Sequence, residues 1–284
     1  LIPSFLEKNI SGTDNMIESI HSIVALRRHI ASLDRAPARQ QRARTTTGHG
    51  PLDRALDGGM ARACVHELFG AGEEEGAATG FSLLLAYQSA GDAPLLWLRT
   101  QAAARAGGLA YGPGLAALGI DPARLLVGMM ADDAMLLRAA VDALRCPAVG
   151  ALVIELRGRA PLYDLTASRR LALAAEGSGV TAFLLRIGAE PVPSAAETRW
   201  RVTAAPSTPV PGNGPGLTAF DLHLLRRRAG PDGLRWRLAW DNETGAFEDG
   251  RHERDDDRER CGDPALSGAV VSLSAAGPAA GRAA

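Results

Sequence analysis

Lysine is almost absent from this chain of 284 residues: Lys8 is the only one, and arginine supplies the rest of the basic charge. A phosphate-hydrolysing loop of the G-x-x-x-x-G-K-[ST] type needs a lysine on the β- and γ-phosphates, so that chemistry is excluded from every part of the sequence beyond its first few residues. Cysteine is scarce too. Cys64, Cys146 and Cys261 are widely spaced and odd in number, which offers neither a disulfide framework nor a zinc-ligand spacing and suits a reducing cytoplasm. No apolar run approaches the ~18 residues of a membrane span, so no membrane association is expected. Residues 1–15 lack the charged start and apolar stretch of a secretory signal. Their Ser, Asn and Lys content sets them apart from the chain after Met16, which leaves a start at Met16 open. A net charge of −1 gives no global attraction to nucleic acid, so any basic surface must be local. The 46% apolar and 22% charged fractions are those of a globular protein, and the excess of Arg, Ala and Gly reads as the bias of a GC-rich genome.

The residues present divide the chain into four stretches. In residues 1–34, Met16, Ile20, Ile23, Leu26, Ile30 and Leu33 recur at three- and four-residue intervals, one stripe of an amphipathic helix that could pack on its own domain or face a partner. Residues 35–50, rich in Arg, Gln and Thr, read as a linker. From 51 to 240 strands alternate with helices. Strands are expected at Ala63–Phe69, Leu95–Leu98, Leu125–Met129, Gly150–Leu156 and Val180–Ile187, with helices continuing to about Tyr87, over Ala102–Leu118 in two pieces, to Arg145, and over Pro161–Ala175. This spacing predicts an α/β fold with a mostly parallel sheet and helices on both faces. Beyond Gly188, period-two strands joined by Gly230-Pro231-Asp232-Gly233 predict an antiparallel hairpin that extends the sheet. Residues 241–284, with Arg254-Asp255-Asp256-Asp257-Arg258-Glu259-Arg260 and then Ala, Gly and Ser, are expected to form a disordered tail.

The stretch that organises this pattern is Val65-His66-Glu67-Leu68-Phe69-Gly70-Ala71-Gly72-Glu73-Glu74-Glu75-Gly76-Ala77-Ala78-Thr79, a strand, a glycine-rich turn and a helix start. The shape is that of a phosphate-cradling loop. Glu75 and Gly76 stand where the second glycine and the lysine belong, and Thr79 comes late for a Mg²⁺ hydroxyl. Glu73, Glu74 and Glu75 would repel a triphosphate and suit the positive end of the next helix, so the degenerate loop Gly70, Gly72, Glu73, Glu74, Glu75 and Gly76 is expected to bind no cofactor. Glu155 ends a buried strand where a metal-binding acid could sit, but no second residue makes a Mg²⁺ site with it; it reads as a relic of the fold or a hydrogen-bond anchor. The six histidines are scattered, no nucleophile motif is present, and neither catalytic nor metal-ligating residues are expected. Arginines gather on the C-terminal strands: Arg199, Arg201, Arg226, Arg227, Arg228, Arg235 and Arg237. With Met16, Ile20, Ile23 and Ile30 they are the candidate contacts for a partner protein or for DNA.

Val65–Tyr87 resembles the first strand, phosphate loop and helix of the RecA recombinase core with the loop lysine lost. Several segments more specifically resemble the ImuA family. They are Leu56-Asp57-Gly58-Gly59-Met60-Ala61-Arg62 with His66-Glu67, Tyr111-Gly112-Pro113-Gly114-Leu115-Ala116-Ala117-Leu118-Gly119-Ile120, Arg169-Arg170-Leu171-Ala172-Leu173-Ala174-Ala175-Glu176, Glu197-Thr198-Arg199-Trp200-Arg201-Val202, Phe220-Asp221-Leu222-His223-Leu224-Leu225-Arg226-Arg227-Arg228 and Trp236-Arg237-Leu238-Ala239-Trp240-Asp241. Their order spans roughly residues 20–245. The resemblance implies a RecA-like fold and a non-catalytic accessory role in the cytoplasm, in an SOS-induced translesion complex. The implied partners are ImuB, a polymerase-like scaffold without activity, and an error-prone polymerase of the replicative type. RecA itself and DNA are further contacts it allows. The alternatives it leaves open are residual ATP or DNA binding and a role like that of the division inhibitor SulA.

Overall fold

The computed structural model describes residues 42–72, 75–208, 214 and 216–250. The expected N-terminal helix with Met16, Ile20, Ile23 and Ile30, the tail beyond Gly250, and Glu73 and Glu74 lie outside the described residues.

The described residues begin with β1 (Arg44–Thr45), α1 (Gly50–Ala55) and β2 (Met60–Ala61), which pairs with β1. The turn between α1 and β2 runs through Asp57-Gly58-Gly59. Gly59 takes a left-handed φ of 112°, and a Cβ there would stand 2.3 Å from the carbonyl oxygen of Thr45, so glycine is required by the close approach of β1. Then come β3 (Val65–Gly70), α2 (Glu75–Ala90), β4 (Leu95–Thr100), α3 (Gln101–Gly107), α4 (Gly112–Ala117), β5 (Leu125–Met130), α5 (Asp133–Leu144), β6 (Ala151–Arg157), α6 (Leu165–Ser178) and β7 (Thr181–Ile187). The chain continues with β8 (Thr198–Ala205), β9 (Thr218–Arg227), β10 (Arg235–Asp241) and β11 (Ala246–Asp249).

Nine of these strands form one sheet, in the order β11-β10-β9-β8-β3-β7-β6-β4-β5. From β8 to β5 every pairing is parallel; β9, β10 and β11 add on antiparallel. The expected mostly parallel sheet with an antiparallel extension is the architecture found.

Two cores cover the faces. On one, α2 packs its Phe81, Leu84 and Leu85 against Leu68, Val153, Phe183, Trp200 and Phe220. The antiparallel strands continue around this helix, and Phe81 meets Phe220 and Phe247 at ring distances of 5.4 and 5.2 Å. On the other face α5 and α6 pack Leu136, Leu144 and Leu171 on Leu152, Ile154 and Leu184. Asp132 caps α5 by accepting from the Met135 amide at 2.8 Å, as the sequence suggests. Helix α6 starts later and ends later than Pro161–Ala175: Asp164 caps it through the Ala167 amide, and Gly179, with φ 87°, closes it.

The core is wider than residues 51–240. Thr47 and His49, within the expected linker, are buried, because the Thr47 carbonyl accepts from Phe247 and His49 caps α1. The expected tail contributes β11, because Phe247 fits edge-on against Trp240 at 4.7 Å.

Candidate functional site

In open α/β sheets ligands bind at the carboxyl ends of the parallel strands. Here that rim holds side chains paired with one another. Gly70 ends β3; a Cβ there would stand 2.6 Å from the Cβ of Ala78, so this glycine lets strand and helix meet. A Cβ at Gly72 or Gly76 would meet nothing within 4 Å.

Glu75 opens α2 and directs its carboxylate to Arg157 at the end of β6, forming a close ion pair. The Arg157 guanidinium also donates to Glu155 Oε1 at 3.3 Å. Glu155 in turn meets Arg99 of β4, with Nη2 donating to Oε1 at 3.2 Å and Nε lying 3.0 Å from Oε2. Arg99 completes its bonds to the carbonyl oxygens of Gly108 (2.7 Å) and Ala103 (3.2 Å), and lies over the Trp97 ring at 4.4 Å. Alternating signs give this chain of two carboxylates and two guanidiniums no net charge. Arg99 and Glu155 are each 2% exposed. Gly107 closes over the cluster: a Cβ on it would fall 2.9 Å from Arg157 Nη1 and 3.0 Å from Glu75 Oε1. A triphosphate approaching this corner would face two carboxylates and guanidiniums already engaged. Thr79 lies in the helix beyond the loop. Among the described residues no group of three His, Cys, Asp or Glu side chains could hold a metal ion.

A second polar cluster lies on the opposite face of the sheet. Glu67 of β3, 1% exposed, accepts from Tyr163 Oη at 2.6 Å and from Arg199 Nε at 2.7 Å. Arg199 Nη2 donates to Ser194 Oγ at 2.8 Å. Burial, reinforced by the Glu67 charge and hydrogen bond, pushes the Tyr163 phenol far above the usual tyrosine range. Arg186 lies over the Tyr163 ring at 5.1 Å; burial lowers its pKa, while Tyr163, Glu67 and Asp133 act to restore it. His66 is structural, bonded to Thr198 Oγ1 at 2.7 Å and to the Ala61 carbonyl at 2.8 Å.

The arginine candidates separate. Arg199 and Arg227 are not surface residues: Arg199 is consumed by Glu67, and Arg227 by the Ala55 carbonyl (2.6 Å) and the Asp57 carboxylate. Both are 8% exposed and are withdrawn as partner or DNA contacts, because a buried guanidinium is retained only with its charge matched. Arg237 is held by Asp221 through bonds of 2.8 and 2.7 Å. Arg201, Arg226, Arg228 and Arg235 are exposed.

Sequence reasoning identified Glu155 as an anchor but missed Arg99, Arg157, Tyr163 and Gly107. The one available signal was position, since Arg99 and Arg157 stand at the carboxyl ends of apolar strands.

No protein-family model matches the chain. Protein ImuA of Caulobacter vibrioides strain NA1000 / CB15N is 35% identical over 192 residues, covering 62% of this chain and 75% of that protein, and the same values hold for Protein ImuA of strain ATCC 19089 / CIP 103742 / CB 15. Among solved structures, the crystal structure of the RadB recombinase aligns with a TM-score of 0.47 at 16% identity, covering 72% of this chain and 99% of that one.

Proposed function

The chain belongs to the ImuA family, and from that premise we propose that it is a non-catalytic accessory protein of a DNA-damage-induced, error-prone translesion synthesis complex. It acts by contact, lending a RecA-shaped surface to a polymerase-like scaffold of the ImuB kind and to an error-prone polymerase of the replicative type. The observation that supports this reading is the closed corner at the end of β3, β4 and β6. Glu75, Arg157, Glu155 and Arg99 satisfy one another where a nucleotide-binding relative would hold phosphate, so the architecture is kept without the groups that phosphoryl transfer requires.

A contact function also needs a surface, and β5 offers one. This edge strand reads Leu125-Leu126-Val127-Gly128-Met129-Met130, without a charge or a proline, and Leu126, Val127 and Met129 are 55%, 39% and 40% exposed. Native sheets normally guard such an edge. Among the described residues no strand pairs with its outer edge, and its backbone groups and apolar side chains suit the addition of a strand from a partner.

Two measurements test the proposal. Purified protein with Mg²⁺ and ATP should show no rise in Tm, whereas a bound nucleotide at about 100 times its Kd would add roughly 2.7 kcal/mol. Co-purification with a polymerase-like scaffold of the ImuB kind should be lost in Val127→Lys while the Tm is kept. ATP-dependent stabilisation, or scaffold binding of the native chain absent altogether, defeats the reading.

A further inference from the structure

The antiparallel extension has two unlike faces. Trp200, Val202, Phe220, Leu222, Leu224 and Leu238 point into the core around α2. Two outward rows across these strands are polar and a third is Ala205, Ala219 and Ala239, while helices α5 and α6 pack chiefly on β3, β4, β5 and β6. Strand register sets these outward residues in rows: Arg201 pairs with His223 and His223 with Arg235, while Thr203 pairs with Asp221 and Asp221 with Arg237. A shallow groove of about 450 Å³ runs over both rows.

We infer that this outer face of β8, β9 and β10 binds the phosphodiester backbone of nucleic acid, with Arg201, His223 and Arg235 as the contacting row. Three observations carry it. The first is charge. Arg201 and Arg235 are exposed and stand two strand spacings apart, about 10 Å, on either side of an imidazole. Asp221, the carboxylate in the adjoining row, is already neutralised by the two bonds from Arg237 and does not oppose an anion. Glu190 touches Arg201 only at 3.9 Å from a side chain 89% exposed, a contact an incoming phosphate displaces at little cost.

The second is the chemistry of the two rows themselves; Leu222 and Trp236 also line the groove, but their side chains belong to the inward rows. A protein–protein interface is centred on buried aromatic or aliphatic side chains, and the outward positions of these rows supply Arg, Thr, Asp and His instead. A face of this kind suits a repeating backbone read without base contacts. The third is the state of His223. Its pKa lies below the ordinary 6.5, first through burial and then through the Arg235 and Arg201 charges; Asp221 and Arg237 of the next row cancel each other. A phosphate set between the two arginines offsets their share of that lowering, so binding should favour the protonated ring.

The inference stands apart from the proposed contact with a polymerase scaffold, which uses the opposite edge of the sheet. Its test is fluorescence anisotropy of the full chain with labelled oligodeoxythymidylate of about 20 nucleotides, and with a duplex of the same length, across a salt series. Log affinity should fall linearly with log salt. Arg201→Gln and Arg235→Gln should each reduce the slope by about 0.7 on single strands or about 0.9 on duplex, which also tells the two sources apart. Affinity should rise as the pH drops from about 8 to about 6, and His223→Gln should abolish that rise. All three variants should keep the native Tm and scaffold binding. Absence of binding at low salt, unchanged slopes in both arginine variants, or displacement of the oligonucleotide by an equal charge of polyglutamate would each overturn it.

Discussion

Tyr163 shows what one buried hydroxyl does in this protein. Its phenol donates to Glu67, whose other oxygen is taken by Arg199, so a carboxylate at 1% exposure has both oxygens occupied. Removing the donor in Tyr163→Phe leaves Glu67 Oε1 buried and short of its partner, and should cost about 1.5–3 kcal/mol in urea unfolding. The same environment holds the proton on the ring. In an alkaline absorbance titration one of the three tyrosines should stay un-ionised until the protein unfolds, and that silent phenol should be missing from the Tyr163→Phe titration. On the other face, Arg99 and Glu155 are a matched pair with almost no solvent to fall back on. Glu155→Leu or Arg99→Met alone strands a buried charge and should cost about 3–5 kcal/mol. The joint Arg99→Met, Glu155→Leu variant should cost less than the two single losses added, and strict additivity in the double-mutant cycle would show that the pair is not coupled.

At the scale of elements, the contact between β3 and α2 separates the glycines that matter from those that do not. Gly70→Ala forces a Cβ to 2.6 Å from Ala78 and should cost about 1–3 kcal/mol. Gly76 lies in the first turn of α2 with free space around it, so Gly76→Ala should stabilise by up to about 1 kcal/mol. Thermal melts of the two variants would read the difference in sign, and a loss at Gly76 as large as that at Gly70 would mean that the loop is still constrained by something other than packing. This corner also marks how far the sequence could be read. The apolar strands β4, β6 and β7 announce themselves, because burial on both faces keeps their middles apolar and leaves Arg99, Glu155, Arg157 and Arg186 to their carboxyl ends. β1, β2 and β11 are two to four residues long and have no periodicity to detect. Glu75 and its partner Arg157 are 82 residues apart, a pairing made only by the parallel crossover. The arginine-rich appearance of Arg199 and Arg227 misled for the same reason: solvent-facing and buried guanidiniums are identical in composition, and only the positions of Glu67 and Asp57 in space tell them apart.

Across the whole folded unit, the beginning and the end of the described core are fastened to each other. The Phe247 amide donates to the Thr47 carbonyl at 2.9 Å, His49 Nε2 lies 2.7 Å from Asp249, and a Cβ on Gly48 would come within 2.4 Å of the Ala246 Cβ. β11 brings Phe247 between Phe81 of α2 and Trp240 of β10, so the last strand of the sheet shares its core with the helix next to the degenerate loop. Contacts of such long sequence separation form only when the intervening chain is in place, which ties the stability of the antiparallel extension to that of the parallel sheet. Phe247→Ala empties a site at 2% exposure and should cost about 3–5 kcal/mol. Because the ring touches α2 as well as β9 and β10, unfolding monitored by circular dichroism and by tryptophan fluorescence in a Trp97→Phe background should shift together, with Trp200, Trp236 and Trp240 reporting β8 to β10 and the helical signal reporting the parallel part. If fluorescence fell at lower denaturant than the helical signal, β10 and β11 would be a separable flap, and the extension would not be the rigid platform that the Arg201, His223 and Arg235 row requires.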